Sequence, residues 1–119
     1  MIIQVLEGLT QHGNEGVRSA SIFEIAKWAK TTVQLDSVRM ALTSESTNDR
    51  ISAAMALQKS PVVSAVLREE LIARMVDANE LWEIRRMAAD SLARFSLDDE
   101  QFALFESFKQ EQASVSHGG

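Results

Sequence analysis

Apolar residues recur along the chain at helical spacing, and short polar segments separate the apolar stripes. The first stripe comprises Ile2, Val5, Leu6 and Leu9. The pattern predicts six further helices, which start near Asn14, Asp36, the polar segment 43–48, Ser60-Pro61, Leu81 and Ser96 or Asp98. No segment alternates apolar and polar residues for long enough to predict a strand. The sequence therefore predicts an all-α chain.

The last predicted helix carries Phe102, Phe105 and Phe108 at a spacing of three residues. This spacing favours a helix that docks as a cap over the open end of a helix stack. The alternative is a homodimer that forms through this C-terminal helix. Small and polar residues follow it, and they predict a flexible tail over 113–119 beyond a single domain of residues 1–112.

Three segments of the chain are similar to one another. When DRISAAMALQKS from Asp49 is aligned with IRRMAADSLARF from Ile84, arginine, an alanine pair, leucine and a terminal cation coincide. A weaker copy, VRSASIFEIAKW, begins at Val17 and has Ser21-Ile22 in place of the alanine pair. The arginines, which are Arg18, Arg50 and Arg85, are 32 and 35 residues apart, about the length of one helix pair. Adjacent alanines allow helices to approach closely, so successive pairs are expected to stack.

The motif resembles the signature V/I-R-x-x-A-A-x-x-L of the HEAT family of helical repeats. The matching residues in the last copy are Ile84, Arg85, Ala88, Ala89 and Leu92, and the resemblance extends over about residues 14–96. It implies a right-handed α-α superhelix, a short HEAT-like solenoid of about three helix pairs plus a C-terminal capping helix. It also implies a binding scaffold such as an adaptor, an inhibitor or a complex subunit. Because some relatives are enzymes, a ligand-handling or lyase-type subunit is the alternative function.

Two columns of basic residues follow from the repeat. Arg18, Arg50 and Arg85 are expected to pair with carboxylates or carbonyl groups of neighbouring turns, and an anion-binding ladder is the alternative. Lys27, Lys59 and Arg94 lie near helix ends, where the helix dipole favours cations. The alternative for this second column is a basic row that meets an acidic partner.

The predicted second helices of the repeats supply a candidate partner-binding surface. In the last copy Arg86, Asp90 and Arg94 lie opposite the core side of the helix. The corresponding positions in the other copies include apolar residues, so an apolar strip with a basic rim is expected. The candidate surface comprises Phe23, Lys27, Ile51, Met55, Lys59, Arg86, Asp90 and Arg94. The alternative is that these positions are covered by neighbouring helices.

Composition narrows the chemistry. Cysteine is absent, which excludes thiolate metal sites and cysteine nucleophiles, and the two histidines, His12 and His117, lack metal-ligand spacing. No catalytic, cofactor-binding or metal-binding set is predicted, and the expected function is not enzymatic. The net charge of −5 argues against nucleic acid, although binding through the basic columns is a third candidate function. Neither a signal peptide nor a membrane-spanning run is evident, so another protein is the expected partner and the cytoplasm the expected location.

Overall fold

Seven α-helices make up most of the molecule. The computed structural model describes the backbone of residues 2–118 and the side chains of residue 3 and residues 5–114. The helices are α1 (Ile2–Leu9), α2 (Glu15–Trp28), α3 (Asp36–Ala41), α4 (Thr47–Leu57), α5 (Ala65–Val76), α6 (Trp82–Leu92) and α7 (Asp99–Gly118), and a 3₁₀ turn (Val33–Leu35) precedes α3. Residues 2–118 contain no strand, so the all-α prediction is confirmed.

Side-chain caps fix the starts of four of these helices. The Asn14 side chain accepts a hydrogen bond from the backbone N–H of the third residue of α2, and Ser46 and Ser64 do the same for α4 and α5. The fourth cap is Asp98, which accepts from the third residue of α7 at 2.8 Å. The predicted start of α5 at Ser60-Pro61 is wrong. Ser60 is buried and its Oγ accepts from the Val62 N–H at 3.2 Å, so this segment forms the connection between α4 and α5.

The helices pack in pairs and form two layers. Helix α1 packs on α2, α3 on α4 and α5 on α6, while α2, α4 and α6 contact one another in that order. Helix α7 crosses onto α5 and α6. The molecule measures 43 × 29 × 18 Å, and a thickness of 18 Å suits two layers of helices, each about 10 Å across. The radius of gyration is 14.4 Å, against about 13.5 Å for a compact domain of this length.

The repeated motif supplies the centre of one continuous core. Ile25, Leu57 and Leu92 occupy equivalent positions in α2, α4 and α6, and each is completely buried. The alanine pairs of α4 and α6, which are Ala53-Ala54 and Ala88-Ala89, are also completely buried. In α2, Ser21 and Ile22 take these positions and are equally inaccessible. The residues that define the repeat therefore lie in the core that α2, α4 and α6, the inner helices, share.

Helix α7 docks through only part of its phenylalanine triplet. Phe108 is buried and its ring centroid lies 4.9 Å from that of Trp82, whereas Phe105 is half-buried and Phe102 is 53% exposed. The backbone of α7 continues to Gly118, past the start of the predicted tail at 113, so helix replaces irregular chain there. The flexibility of 113–119 stays a prediction, and residue 119 lies outside the described residues. None of the described helices has both the length and the apolar character that a bilayer span requires.

Candidate functional site

The first arginine column forms the same contacts in two successive copies of the repeat. The Arg18 Nε donates to a carboxylate oxygen of Asp49 at 3.1 Å, and the Arg50 Nε donates to Glu80 at 3.1 Å. In both cases Nη1 donates to the backbone carbonyl oxygen six residues earlier, at 3.0 and 2.8 Å respectively. Each arginine therefore joins the start of its own inner helix to an acidic residue at or just before the start of the next inner helix, about 30 residues further along the chain.

Arg85 completes this column at the C-terminal end. Its Nε donates to the Met75 carbonyl oxygen at 2.8 Å, and its guanidinium lies 5.3 Å from the ring centroids of Trp82 and Phe108. Its Nη1 is 3.9 Å from a carboxylate oxygen of Glu111 in α7. The predicted pairing of all three arginines with carboxylates and carbonyl groups is confirmed.

Glu80 is the most deeply buried carboxylate in these contacts, with a side chain that is 2% exposed. It accepts hydrogen bonds from Arg50, from Arg74 at 3.1 Å and from the Leu81 N–H at 2.9 Å. Burial on its own would raise the pKa of Glu80. The Leu81 N–H, followed by Arg50 and Arg74, outweighs burial and holds the pKa below its ordinary value of 4.5.

The lowered pKa of Glu80 predicts a contribution to acid sensitivity. The carboxylate stabilises the fold above its ordinary pKa of 4.5, and this contribution is lost as pH falls through the lower pKa of the folded state. The Glu80→Gln variant should therefore lose less stability than the wild type between neutral pH and pH values below 4.5. Urea denaturation at a series of pH values measures this difference. Glu106→Gln, at an exposed position, is the control and should keep the wild-type pH dependence.

The second basic column differs from the first because its members carry no counter-charge. Within the described side chains, eight of the twelve basic residues form ion pairs with carboxylates and four do not. The eight are Arg18, Arg39, Arg50, Arg68, Arg74, Arg85, Arg86 and Lys109. The four are Lys27, Lys30, Lys59 and Arg94, and they are called the basic edge below.

All four residues of the basic edge lie within two residues of the C-terminal end of an inner helix. The inner helices run in the same direction, because Ser19 near the start of α2 contacts Ser52 of α4, and Gln58 at the end of α4 contacts Asp90 of α6. Their C-terminal ends therefore share one edge of the molecule. With neighbouring helix axes about 8–10 Å apart, the basic edge extends over about 20 Å.

The predicted apolar strip beside this edge is only partly exposed. Met55 is 40% exposed, while Phe23 and Ile51 are half-buried and pack against the core. Lys27 and Lys59 are exposed at the ends of the same two helices. The structure thus brings these five predicted residues onto α2 and α4, with Met55 as the main accessible apolar group.

On α6 the predicted surface residues are engaged with other residues of the chain. Asp90 lies 3.5 Å from Arg86 and 3.2 Å from Lys109 of α7, and it also receives a 3.5 Å contact from Gln58 of α4. Arg94 donates to the carbonyl oxygens of two other residues. The surface that remains accessible is accordingly centred on α2 and α4.

Trp28, the last residue of α2, adds an exposed aromatic side chain. Ala29 takes the buried position one turn after Ile25, so Trp28 is displaced outward and is 48% exposed. Its Nε1 donates to Glu24 at 3.1 Å, and the Lys27 ammonium lies 5.5 Å from the ring centroid. This places a large aromatic group directly beside the basic edge.

A cleft of about 450 Å³ lies at the opposite edge. His12, Arg18 and Asp49 contribute to its lining. Asp49 already pairs with Arg18, and the His12 Nδ1 accepts from the Asn14 N–H at 2.9 Å, so the charged groups there are engaged. No cluster of three or more potential metal ligands occurs among the described side chains, and the side chain of His117 lies outside them.

Comparison with known proteins gives no match to a family model, to a curated protein or to a solved structure.

Proposed function

We propose that this protein is a non-enzymatic protein-binding module, an adaptor, inhibitor or complex subunit, built as a short right-handed α-α superhelix of the HEAT type. Its binding surface is formed by the inner helices, chiefly α2 and α4. The partner presents acidic side chains to the basic edge and an apolar group to Met55 and Trp28.

The regular sequence spacing of contacts between successive helix pairs supports the repeat architecture. Arg18–Asp49 and Arg39–Glu70 are separated by 31 residues, Arg50–Glu80 by 30 and Ser19–Ser52 by 33. A chain folded as successive copies of one helix pair gives offsets close to the repeat length, because each copy contacts only the copies next to it. The rotation between successive pairs, measured in an experimental structure, tests the handedness.

The basic edge is the observation on which the binding proposal rests. The molecule carries a net charge of −5, yet the four cations that form no ion pair among the described residues all lie at one edge. Of these, the exposed Lys27, Lys30 and Lys59 are available to opposite charges, and such complementarity raises association rates and selects partners. Trp28 and Met55, both large and substantially exposed, provide apolar contact area on α2 and α4 of the kind that anchors interfaces.

The Met55→Asp variant tests this proposal. Because Met55 is 40% exposed, we expect the variant to fold with a stability close to that of the wild type, within about 0.5 kcal/mol. A buried charge at the interface should reduce partner retention by about tenfold or more, the loss typical of an anchor residue. The measurement is affinity capture from native cells with quantitative mass spectrometry, supported by thermal denaturation of each variant.

Met40→Asp is the matched control, since Met40 is 66% exposed and lies on the outer helix α3. Proteins retained by the wild type and by Met40→Asp, but lost with Met55→Asp, support the proposed surface. Unfolding of Met55→Asp, or equal retention by both variants, would show that the surface is misassigned. Retention abolished by nuclease would replace a protein partner with a nucleic acid.

A further inference from the structure

A second cleft brings two arginines together at one end of the basic edge. It has a volume of about 220 Å³ and lies where α5 begins and α6 ends. Its lining includes Ser64 and Ala65 from the start of α5, Arg68 one turn later, and Arg94, Phe95 and Ser96 from the segment after α6. Arg68 belongs to neither basic column of the repeat, so only the packing of α5 against α6 brings it to Arg94.

Both guanidinium groups retain unused hydrogen-bonding capacity. The Nε atoms of Arg68 and Arg94 are buried, and neither has a hydrogen-bond acceptor. Arg68 donates through Nη1 to the Ser96 carbonyl oxygen at 3.2 Å, and Arg94 donates through Nη2 to the Val62 carbonyl oxygen at 3.1 Å. The Nε atoms themselves are inaccessible, so a ligand in the cleft would be reached by the terminal guanidinium nitrogens, each of which carries a second N–H that has no hydrogen-bond acceptor among the described residues.

Positive charge at this cleft exceeds the negative charge that the fold supplies. The nearest carboxylate contact to Arg68 is Glu69, at 3.7 Å from Nη2, and Glu69 also accepts from the Gln101 Nε2 at 3.0 Å. Arg94 has no carboxylate partner among the described residues, and burial lowers its pKa. A partly buried cation without a counter-ion is disfavoured relative to one in water, and a bound anion would offset that cost.

The backbone at the start of α5 adds two N–H hydrogen-bond donors, which, like the arginines, favour an anion. Ser64 caps the helix by accepting from the Leu67 N–H at 3.2 Å. The N–H groups of Ala65 and Val66 precede the first intrahelical bond and have no acceptor within residues 2–118. The helix N-terminus also carries partial positive charge, so it reinforces the field of the two arginines.

We propose that this cleft binds the phosphate group of a phosphate monoester. A phosphate dianion offers three strong acceptor oxygens, enough to engage two guanidinium groups and a backbone N–H together. A carboxylate has two oxygens and one charge, and a single arginine satisfies it. The site goes beyond the proposed protein-binding surface and shares only Arg94 with the basic edge, since none of its lining residues lies on α2 or α4.

The test is an NMR titration of the full chain with inorganic phosphate, with a short phosphoserine peptide and with the same peptide unphosphorylated. The amide signals of Ala65 and Val66 and the Nε–H signals of Arg68 and Arg94 should shift with either phosphate ligand, with a Kd in the millimolar range. Tighter binding of the peptide than of inorganic phosphate identifies a phosphorylated side chain as the source. Equal binding identifies a free or small-molecule phosphate, and the unphosphorylated peptide should cause no shift.

Four variants separate a built site from general electrostatic attraction. Arg94→Gln should weaken phosphate binding by about tenfold or more, as expected for the loss of a charge-assisted hydrogen bond, and Arg68→Gln should weaken it by several-fold. Lys59→Gln removes a charge of the basic edge that does not line the cleft, and it should change the affinity by less than about twofold. In Ala65→Pro the N–H at the first helical position is lost while the helix is retained, because proline is favoured there. We expect this variant to bind phosphate severalfold more weakly with an unchanged melting temperature.

If the amide and Nε–H signals do not shift at a phosphate concentration of about 10 mM or more, about ten times the expected Kd, the proposal is overturned. An effect of Lys59→Gln as large as that of Arg94→Gln would also overturn it, because the attraction would then be nonspecific. If Arg94→Gln does not fold, Ala65→Pro and Arg68→Gln decide the outcome. A failure here leaves the Met55 surface untouched, since capture of a partner by that surface is measured without phosphate.

Discussion

Leu57→Ala should lower the free energy of unfolding by about 3 kcal/mol or more, within the range observed for fully buried leucines. Leu57 is completely buried in α4, which packs against both α2 and α6. Truncation removes apolar contacts on both sides and leaves a cavity that rigid flanking helices can close only in part. Urea denaturation followed by circular dichroism measures the loss, which should appear as a lower midpoint with an unchanged slope.

Leu104→Ala is the control for this prediction. Leu104 lies in α7 and is 40% exposed, so the same chemical change should cost less than about 1 kcal/mol. A comparable loss in the two variants would contradict the assignment of α4 to the centre of the core. It would place the helix at the periphery of the fold instead.

Arg50→Met is expected to destabilise the protein by about 2–3 kcal/mol, the scale of a hydrogen bond to a buried charge. The substitution leaves Glu80, whose side chain is 2% exposed, with Arg74 and the Leu81 N–H as its remaining partners. The uncompensated part of the buried charge is the main cause of the loss, because removing one member of a buried ion pair costs more than the pair contributes. Thermal and urea denaturation at neutral pH measure the effect.

Arg39→Met provides a matched comparison, because Arg39 also joins two successive helix pairs through an ion pair. Its partners Asp36 and Glu70 are 54% and 34% exposed, so water screens the interaction and the expected loss is below about 1 kcal/mol. The double variant Arg50→Met/Glu80→Gln should recover part of the stability lost in Arg50→Met, since the orphaned charge is gone. Equal losses in Arg50→Met and Arg39→Met would contradict the role assigned to the burial of Glu80.

The repeat could be predicted from the sequence because it depends on local periodicity. The spacing of Arg50, Ala53-Ala54 and Leu57, repeated at Arg85, predicted both the helices and their buried faces. The cap at Asn14 could also be predicted from the sequence, since it uses a contact between residues three apart in the chain. These features are set by distances of one or two helical turns.

Features that depend on the relative position of helices could not be predicted in this way. Trp28 is exposed because Ala29 takes the buried position, a choice that helical spacing does not resolve. The meeting of Arg68 with Arg94 depends on how α5 lies against α6. Asp49 and Glu80 pair with equivalent arginines although they do not occupy equivalent positions in the repeat, so no motif indicates that they correspond.

The two ends of the molecule differ in how much of their surface is covered. Helix α7 closes one end through Phe108, whereas at the other end an apolar cleft of about 350 Å³, lined in part by Leu6, Leu9 and Val17, stays open beside α1. Since α1 packs mainly on α2, it can detach while the α4–α6 contact persists. Helix α7 likewise packs mainly on α5 and α6, so partial unfolding would begin at the two ends of the chain and reach the paired central helices last.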